Sequence, residues 1–192
     1  MENEQRIGFT LNGERVRARV AARQHLGDLL RLEFGLTGVH LGCEHGVCGA
    51  CTIRVDGRAV RACLMLAVQA DGAVVETIEG LTESGEIADL QDAFHRRNAL
   101  QCGYCTPGML VTAAELLAET PRPSREAIRE AVGGNYCRCT GYHAIVDAIA
   151  ATAEARVAAS AEARVAATAE ARIAATAEAR VAATAEPAEA GR

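Results

Sequence analysis

The sequence contains no lysine and no tryptophan, and aromatic residues make up only 3% of its 192 positions. All 20 basic residues are arginine, which excludes Schiff-base chemistry and the phosphate-binding P-loop, since both need a lysine. The 25 acidic residues outnumber the basic ones and give a net charge of −5. The basic stripe typical of nucleic-acid-binding proteins is absent, so we expect no nucleic-acid partner.

Long apolar runs are missing as well. No run approaches the ~18 residues needed to cross a bilayer, and no apolar segment of the secretory kind follows the polar residues 1–6. We therefore expect a cytoplasmic protein without a membrane span. The length fits one domain or two small ones, since a domain usually has ~100–200 residues. Because disulfides are rare in the cytoplasm, the eight cysteines are interpreted as metal ligands.

Residues 1–80 have the pattern of a small sheet with one helix. Alternating apolar residues surround Asn12-Gly13 and Asp56-Gly57, and this pattern predicts two hairpins. A helix is predicted from Leu26 until Gly35 stops it. Val74, Val75 and Ile78 predict a last strand.

Residues 81–150 have a helical pattern. Four helices are predicted, and they cover residues 90–100, Pro107 to Thr120, Ser124 to Gly133, and the segment after Gly141. A small sheet followed by short helices indicates an α+β protein made of two adjacent subdomains.

Residues 151–192 form an Ala-rich tail built on an octapeptide, Ala-Glu-Ala-Arg-Val-Ala-Ala-Thr. Its residue types favour helix. Eight residues at ~100° each overshoot two turns by ~80°, so the Val/Ile positions spiral around the helix without forming a stripe. We interpret the segment as a solvated Ala-rich helix or disordered tail, with a docking arm for a partner as the alternative. A coiled coil is disfavoured because no heptad is present.

The first four cysteines have the spacing of a plant-type [2Fe–2S] site. Three lie within nine residues, as C-x4-C-x2-C, and eleven residues separate the third from the fourth. Interleaved glycines let the backbone bend and bring N–H groups to sulfur, which stabilises an anionic cluster. Tetrahedral zinc is the alternative, although structural zinc prefers paired short spacers. The residues concerned are Cys43, Cys48, Cys51 and Cys63, with Gly42 directly before the first cysteine and Gly46 and Gly49 between the first three.

The last four cysteines form a C-x2-C pair and a C-x-C pair, each placed before a predicted helix. Helix N-termini favour anions, so both pairs suit an anionic cluster. Spacing alone leaves [2Fe–2S] and zinc equally open here, whereas a thioredoxin-like pair lacks its βαβ context. The residues are Cys102, Cys105, Cys137 and Cys139.

Three strings, GCEHGVCGACT, QCGYCTPGM and GNYCRCTGY, occur in this order and resemble the iron–sulfur subunit of the molybdenum hydroxylases. That family includes xanthine dehydrogenase, aldehyde oxidoreductase and aerobic carbon monoxide dehydrogenase. The resemblance covers residues 5 to about 150, and all eight cysteines match its pattern.

The resemblance implies an α+β fold in which a β-grasp, plant-type ferredoxin-like domain (residues 1–80) precedes a four-helix-bundle domain (residues 81–150). It implies one [2Fe–2S] cluster on the first four cysteines and another on the last four. It also implies that Gln101 and Cys139 contact the pterin of a molybdenum cofactor on a large partner subunit, and that the first cluster faces FAD on a medium partner subunit.

The implied role is electron transfer, with no catalytic residue on this chain. Single electrons would pass from molybdenum to FAD within a heterotrimer that can itself dimerise, or in the opposite direction in a reductase of the family. Two other functions stay open. A stand-alone ferredoxin-like shuttle would be a stable holo-monomer, and a zinc-stabilised interaction scaffold would be colourless and redox-silent.

Overall fold

Two tight hairpins build most of a five-stranded sheet. The computed structural model describes residues 4–184 and, within them, the side chains of residues 4–163. Asn12–Gly13 and Asp56–Gly57 join the hairpin strands, and all four residues have the positive φ that this two-residue turn requires. Both predicted hairpins are confirmed. The strands are β1 (Glu4–Leu11), β2 (Glu14–Ala21), β3 (Thr52–Val55), β4 (Arg58–Arg61) and β5 (Val74–Glu76).

The strands pair in the order β2-β1-β5-β3-β4. Only β1 and β5 run parallel, so the sheet is mixed. One face of the sheet is buried against α1 (Leu26–Asp28) and the π-helical turn that continues it (Leu29–Glu33). There the ring of Phe34 meets that of Phe9 edge-on at 5.8 Å. This sheet and its short helical segment form the predicted ferredoxin-like half of the fold.

The remainder of the described chain is helical apart from its connecting loops. The four predicted helices correspond to α3–α6, and a short preceding helix, α2, was not predicted from the pattern. A 3-10 helix (Ala67–Ala70) precedes β5. The helices are α2 (Ile78–Glu83), α3 (Ala88–Arg96), α4 (Thr106–Glu119), α5 (Arg125–Gly133) and α6 (His143–Thr184).

The last strand was predicted to reach Ile78, but β5 ends at Glu76. The prediction that Ile78 belongs to a strand is therefore wrong. The side chain of Asn12 accepts the N–H of Thr77 at 2.8 Å and donates to its hydroxyl at 3.1 Å. These bonds replace the sheet ladder at Thr77, which becomes the N-cap of α2. Ile78 therefore begins a helix and packs on the helical core.

The apolar core lies in two clusters. One runs from Ile7 to Val75 under the sheet, and the other runs from Leu81 to Ala153 among the helices. Helix α4 packs against β3 and β4, so the two clusters belong to one compact unit, which ends at Ala153.

Helix α6 begins in the helical core and continues into the predicted tail. Ile145 and Ile149 are fully buried, and so are Thr152 and Ala153. From Glu154 the chain forms a second unit, which is helical to Thr184. Residues 185–192 of the predicted tail lie outside the described residues. None of the helices within residues 4–184 has the length and apolar composition needed to span a membrane.

Candidate metal centres

The sheet register brings two of the first four cysteines together. Cys51 directly precedes β3, and Cys63 follows β4 by two residues. Since β3 and β4 are antiparallel, with Thr52 opposite Arg61, both cysteines lie at the same end of this hairpin. Both side chains are buried. Cys43 and Cys48 lie in the loop that precedes Cys51 and are half-buried.

Backbone donors stabilise a thiolate in this loop. The N–H of Cys48 donates to Sγ of Cys43 at 3.3 Å. Hydrogen bonds from the N–H groups of Cys48 and His45 lower the pKa of Cys43 to about 6. Burial, followed by the adjacent Cys51 thiol, raises the pKa of Cys63 to about 11. Crowded thiols resist deprotonation until a cation neutralises them, and a coordinating metal deprotonates its thiol ligands.

Each glycine of the loop faces a close neighbour. A Cβ at Gly42 would lie 3.1 Å from Sγ of Cys48, and one at Gly46 would lie 2.4 Å from a methyl carbon of Leu64. The N–H of Gly46 also donates a hydrogen bond to the sulfur of Cys63, which favours the thiolate form. The loop is thus closed tightly around its sulfurs. A Cβ at Gly49, by contrast, would meet a different part of the chain, the carbonyl oxygen of Gly134 at 2.4 Å.

The second four cysteines lie where two helices begin. Cys105 is the N-cap residue of α4, and Cys102 precedes it in the same loop. Cys137 and Cys139 lie in the loop between α5 and α6. Cys105 is buried, Cys137 is half-buried, and Cys102 and Cys139 are exposed.

As in the first set, one thiol of the second set has a raised pKa and another has a lowered pKa. Burial, followed by the neighbouring Cys137 thiol, raises the pKa of Cys105 to about 12. Burial also acts to raise the pKa of Cys137, but hydrogen bonds from the hydroxyl and N–H of Thr140 outweigh it, so this pKa is lowered. The Thr140 hydroxyl lies 3.1 Å from Sγ of Cys137. Each set thus combines a crowded buried thiol with a thiolate held by donors.

Tyr142 shapes the loop that carries Cys137. The N–H of Cys137 donates to the Tyr142 hydroxyl at 2.8 Å, and this hydroxyl donates to the carbonyl oxygen of Asn135 at 3.1 Å. The N–H of Tyr142 donates to the Thr140 hydroxyl at 3.2 Å. The sequence analysis missed this role, because the sequence does not distinguish a tyrosine that only packs from one that hydrogen-bonds to the backbone of its own loop.

Neighbouring thiols influence one another within each set. Besides burial, Cys51 and then Cys43 raise the pKa of Cys63, and Cys137 and then Cys102 raise that of Cys105. Among the described residues, no three His, Cys, Asp or Glu side chains converge on a position for a single metal ion. Each set offers four thiols, the number of cysteine ligands that a [2Fe–2S] cluster takes.

The two cysteine loops touch each other. The N–H of Tyr136 donates to the carbonyl oxygen of Cys48 at 2.8 Å, which joins the first loop to the residue before Cys137. On another side the ring of Tyr104, within the Cys102–Cys105 loop, stacks on His40 at 4.6 Å. The Tyr104 hydroxyl donates to the carbonyl oxygen of Leu41 at 2.7 Å. The two loops are therefore neighbours in one compact unit.

Each site has exposed apolar side chains beside it. Val47 and Leu64, next to Cys48 and Cys63, are 46% and 63% exposed. Beside the second site, Leu100, Tyr104 and Tyr136 are exposed, as are Gln101 and Cys139. Exposed apolar groups of this kind often mark surfaces that another protein covers.

Comparison with known proteins gives two family matches. The profile described as "2Fe-2S iron-sulfur cluster binding domain" matches residues 9–77. The profile described as "[2Fe-2S] binding domain" matches residues 77–150. The second match identifies the region that contains the last four cysteines as a [2Fe–2S] binding domain, which favours iron–sulfur over zinc for this region.

Curated relatives match over most of their length. The nicotine 6-hydroxylase small subunit of Paenarthrobacter nicotinovorans is 54% identical over 143 residues, which are 74% of this chain and 86% of the relative. The caffeine dehydrogenase subunit gamma of Pseudomonas sp. (strain CBB1) is 49% identical over 150 residues, 77% of this chain and 90% of the relative.

A solved structure shares the fold. The crystal structure of quinoline 2-oxidoreductase from Pseudomonas putida 86 contains a chain that superposes with a TM-score of 0.75 at 55% identity. The match covers 79% of this chain and 95% of that one.

Proposed function

Because the chain belongs to the iron–sulfur small subunits of the molybdenum hydroxylases, we propose that it carries single electrons from a molybdenum site on a large partner subunit to FAD on a medium partner subunit. A [2Fe–2S] cluster supplies one-electron redox chemistry when it is bound. The chain's own residues hold, orient and shield two such clusters. It is an electron-transfer subunit of an oxidoreductase and has no substrate chemistry of its own.

The observation that carries this proposal is the contact between the two cysteine-bearing loops within one compact unit. The backbone hydrogen bond from Tyr136 to Cys48 brings the two ligand loops together. Exposed apolar side chains lie beside both sets, with Val47 and Leu64 at the first site and Tyr104 and Tyr136 where the two loops meet. Two adjacent redox sites with exposed apolar surface beside them suit a relay between two partners.

We assign the first cluster to Cys43, Cys48, Cys51 and Cys63 and the second to Cys102, Cys105, Cys137 and Cys139. The exposed Gln101 and Cys139 are proposed to face the pterin of the molybdenum cofactor. Replacing Cys51 with Ser is expected to remove the EPR signal of one cluster and leave the other. Cys105→Ser is expected to do the reverse. Loss of both signals in either variant at unchanged chain yield, or loss of neither, would contradict the assignment.

The same proposal sets the domain limits. The sheet core ends at Val75 and the helical core begins at Leu81, which supports a boundary at residues 80 and 81. Thr152 and Ala153 are buried in the first unit, so we propose that the tail begins at Glu154, three residues later than the sequence pattern indicated, and that the complex works in the cytoplasm.

Purification of the native complex tests the partners. The chain, tagged at its N-terminus and expressed in its own host, is expected to bring down one large polypeptide with molybdenum and one with FAD, each in equal amount. The stand-alone shuttle predicts instead that the chain elutes alone with its iron. Metal analysis, a flavin spectrum and the mass of the complex separate these results.

The class of substrate follows from the names of relatives. Nicotine, caffeine and quinoline are all nitrogen heterocycles, and we propose that the partner's substrate belongs to this class. Under anaerobic conditions such a compound is expected to bleach the iron–sulfur absorption of the native complex. Bleaching by aldehydes but by no nitrogen heterocycle would contradict this proposal.

A further inference from the structure

Asn135 is a polar side chain that is 1% exposed and lies between the two cysteine loops. Its amide nitrogen donates to the carbonyl oxygen of Gly49 at 3.0 Å and to the hydroxyl of Thr52 at 3.2 Å. Its amide oxygen accepts from the hydroxyl of Thr112 at 3.1 Å and lies 3.5 Å from the guanidinium of Arg61. One side chain thus joins the first loop, the sheet and helix α4.

The main chain of Asn135 extends this connection. Its N–H donates to the carbonyl oxygen of Val132 at the end of α5, and its carbonyl oxygen accepts from the Tyr142 hydroxyl. Every polar atom of the residue therefore has a partner. A fully satisfied buried amide fixes the relative placement of the groups it bonds, since breaking one bond leaves a buried donor or acceptor unpaired.

The surroundings leave no space for the loops to slide. A Cβ at Gly49 would lie 2.8 Å from Cα of Asn135, and one at Gly108 would lie 2.4 Å from the carbonyl oxygen of Gly49. Glycine at both positions allows the first loop, α4 and the second loop to meet at backbone distance. Asn135 lies at this meeting point.

The residue after Asn135 makes the backbone bond between the sites. The N–H of Tyr136 reaches the carbonyl oxygen of Cys48, and the peptide after Tyr136 leads to Cys137. A shift of Asn135 would therefore move this bond and the loop that carries Cys137 and Cys139. Removing a residue that orients a metal ligand without itself binding the metal typically lowers metal affinity or activity by about 10–100-fold.

We propose that Asn135 is a positioning residue that sets the spacing between the two clusters, and that it thereby controls how strongly they interact. This inference rests on the proposed function, since it concerns exchange of single electrons between the two sites. It differs from a purely structural role, in which loss of the amide would lower stability and leave the interaction between the clusters unchanged.

The test uses the native complex with both clusters reduced by dithionite, and it measures the magnetic interaction between them by EPR. Asn135→Asp keeps the shape but removes both N–H donors and sets a carboxylate oxygen against the carbonyl oxygen of Gly49. Asn135→Ala removes the side chain. Both variants are expected to weaken the line splitting or relaxation enhancement that each cluster produces in the other, with two signals per chain still present.

Two further variants keep the test decisive. Thr112→Val removes one donor to the amide oxygen and leaves the guanidinium of Arg61 beside it. This variant is expected to load both clusters even if Asn135→Ala does not, and to weaken the interaction to a smaller degree. Ile128→Val removes one methylene group from the helical core. This variant controls for the effect of lower stability alone, and it is expected to lower the melting temperature while leaving the magnetic interaction as in the wild type.

The outcomes separate this inference from the function on which it rests. A wild-type interaction in Asn135→Asp and Thr112→Val, with only a lower melting temperature, would show that Asn135 is structural and overturn the proposal. The proposal is also overturned if Ile128→Val weakens the magnetic interaction as much as Asn135→Asp and Thr112→Val do. A wild-type complex with fewer than two cluster signals would instead overturn the proposed function.

Discussion

Gly49 illustrates how single residues determine the distance between the two sites. Its φ of +75° lies in the left-handed region, and its absent side chain leaves room for the carbonyl oxygen of Gly134. The sequence suggested that this glycine lets the first loop bend around a cluster. The structure adds that it lets the second loop come into contact with the first.

Replacing Gly49 with Ala is expected to be much more damaging than replacing Gly57. Gly57 has a similar φ of +81°, but nothing lies within 4 Å of the Cβ position there. Gly57→Ala therefore incurs only backbone strain, roughly 1–2 kcal/mol. Gly49→Ala adds a clash with backbone that cannot move aside. Melting temperature and bound iron are the measurements, with Gly57→Ala retaining its iron. Equal losses in the two variants would contradict the close contact between the loops.

The assignment of the cysteines as ligands stays a prediction from the sequence. Cysteine spacing is local, so the two sets of four could be proposed from the sequence, although spacing alone left zinc open at the second set. Asn135 and Tyr142 could not be identified in this way. The amide of Asn135 bonds Gly49, which lies 86 positions earlier, and only the folded chain brings them together. Its position in the string, between two glycines and the C-x-C pair, was the one available signal.

At the scale of elements, the pattern predicted the hairpins and four helices because turns and caps are local signals. Ser124, for example, was predicted as the N-cap of a helix, and its hydroxyl accepts the N–H of Ala127 at 3.1 Å. The end of β5 depended on Asn12, 65 positions away from Thr77, and was therefore predicted wrongly. The π-helical turn after Asp28 also had no sequence signal.

Arg54 links the sheet to the start of the helical region. Its guanidinium makes two hydrogen bonds to Glu76 in β5, at 2.8 and 2.9 Å. It makes two more to Glu86, just before α3, at 2.6 and 2.7 Å. These bonds, to Glu86 first and then Glu76, raise the pKa of Arg54 above its usual value. One planar guanidinium makes two hydrogen bonds to each of two carboxylates, and the ammonium group of lysine cannot reproduce this arrangement.

Arg54→Lys is therefore expected to lower the free energy of unfolding by about 1–2 kcal/mol, although the charge is kept. The matched control is Arg96→Lys, which alters an exposed i,i+4 pair with Asp92 and is expected to change it by less than ~0.5 kcal/mol. Thermal unfolding of the complex under one set of conditions compares the two. If both variants melt at the same temperature, Arg54 does not join the two regions as described.

At the scale of the whole molecule, the described chain divides where its buried contacts end. The first unit closes at Ala153 and contains all eight cysteines. The repeats that follow belong to a second unit, and their octapeptide period gives no continuous apolar stripe. We therefore expect the clusters to depend on the first unit alone.

Deletion of residues 154–192 is expected to leave bound iron, complex assembly and turnover unchanged. Deletion from residue 144 onward is the control, because it removes the buried Ile145, Val146 and Ile149 and is expected to abolish cluster loading. Iron analysis and the mass of the purified complex are the measurements. A complex that no longer assembles without residues 154–192 would support the docking arm and contradict the interpretation of a solvated tail.

The central claim is that this chain holds two different [2Fe–2S] clusters. Low-temperature EPR of the dithionite-reduced native complex tests it most directly, with spins counted per chain. The account predicts two distinct signals of about one spin each, because the two sets of thiols differ in burial: none is exposed in the first set, whereas Cys102 and Cys139 are exposed in the second. A single signal, or a colourless protein that contains zinc, would contradict it.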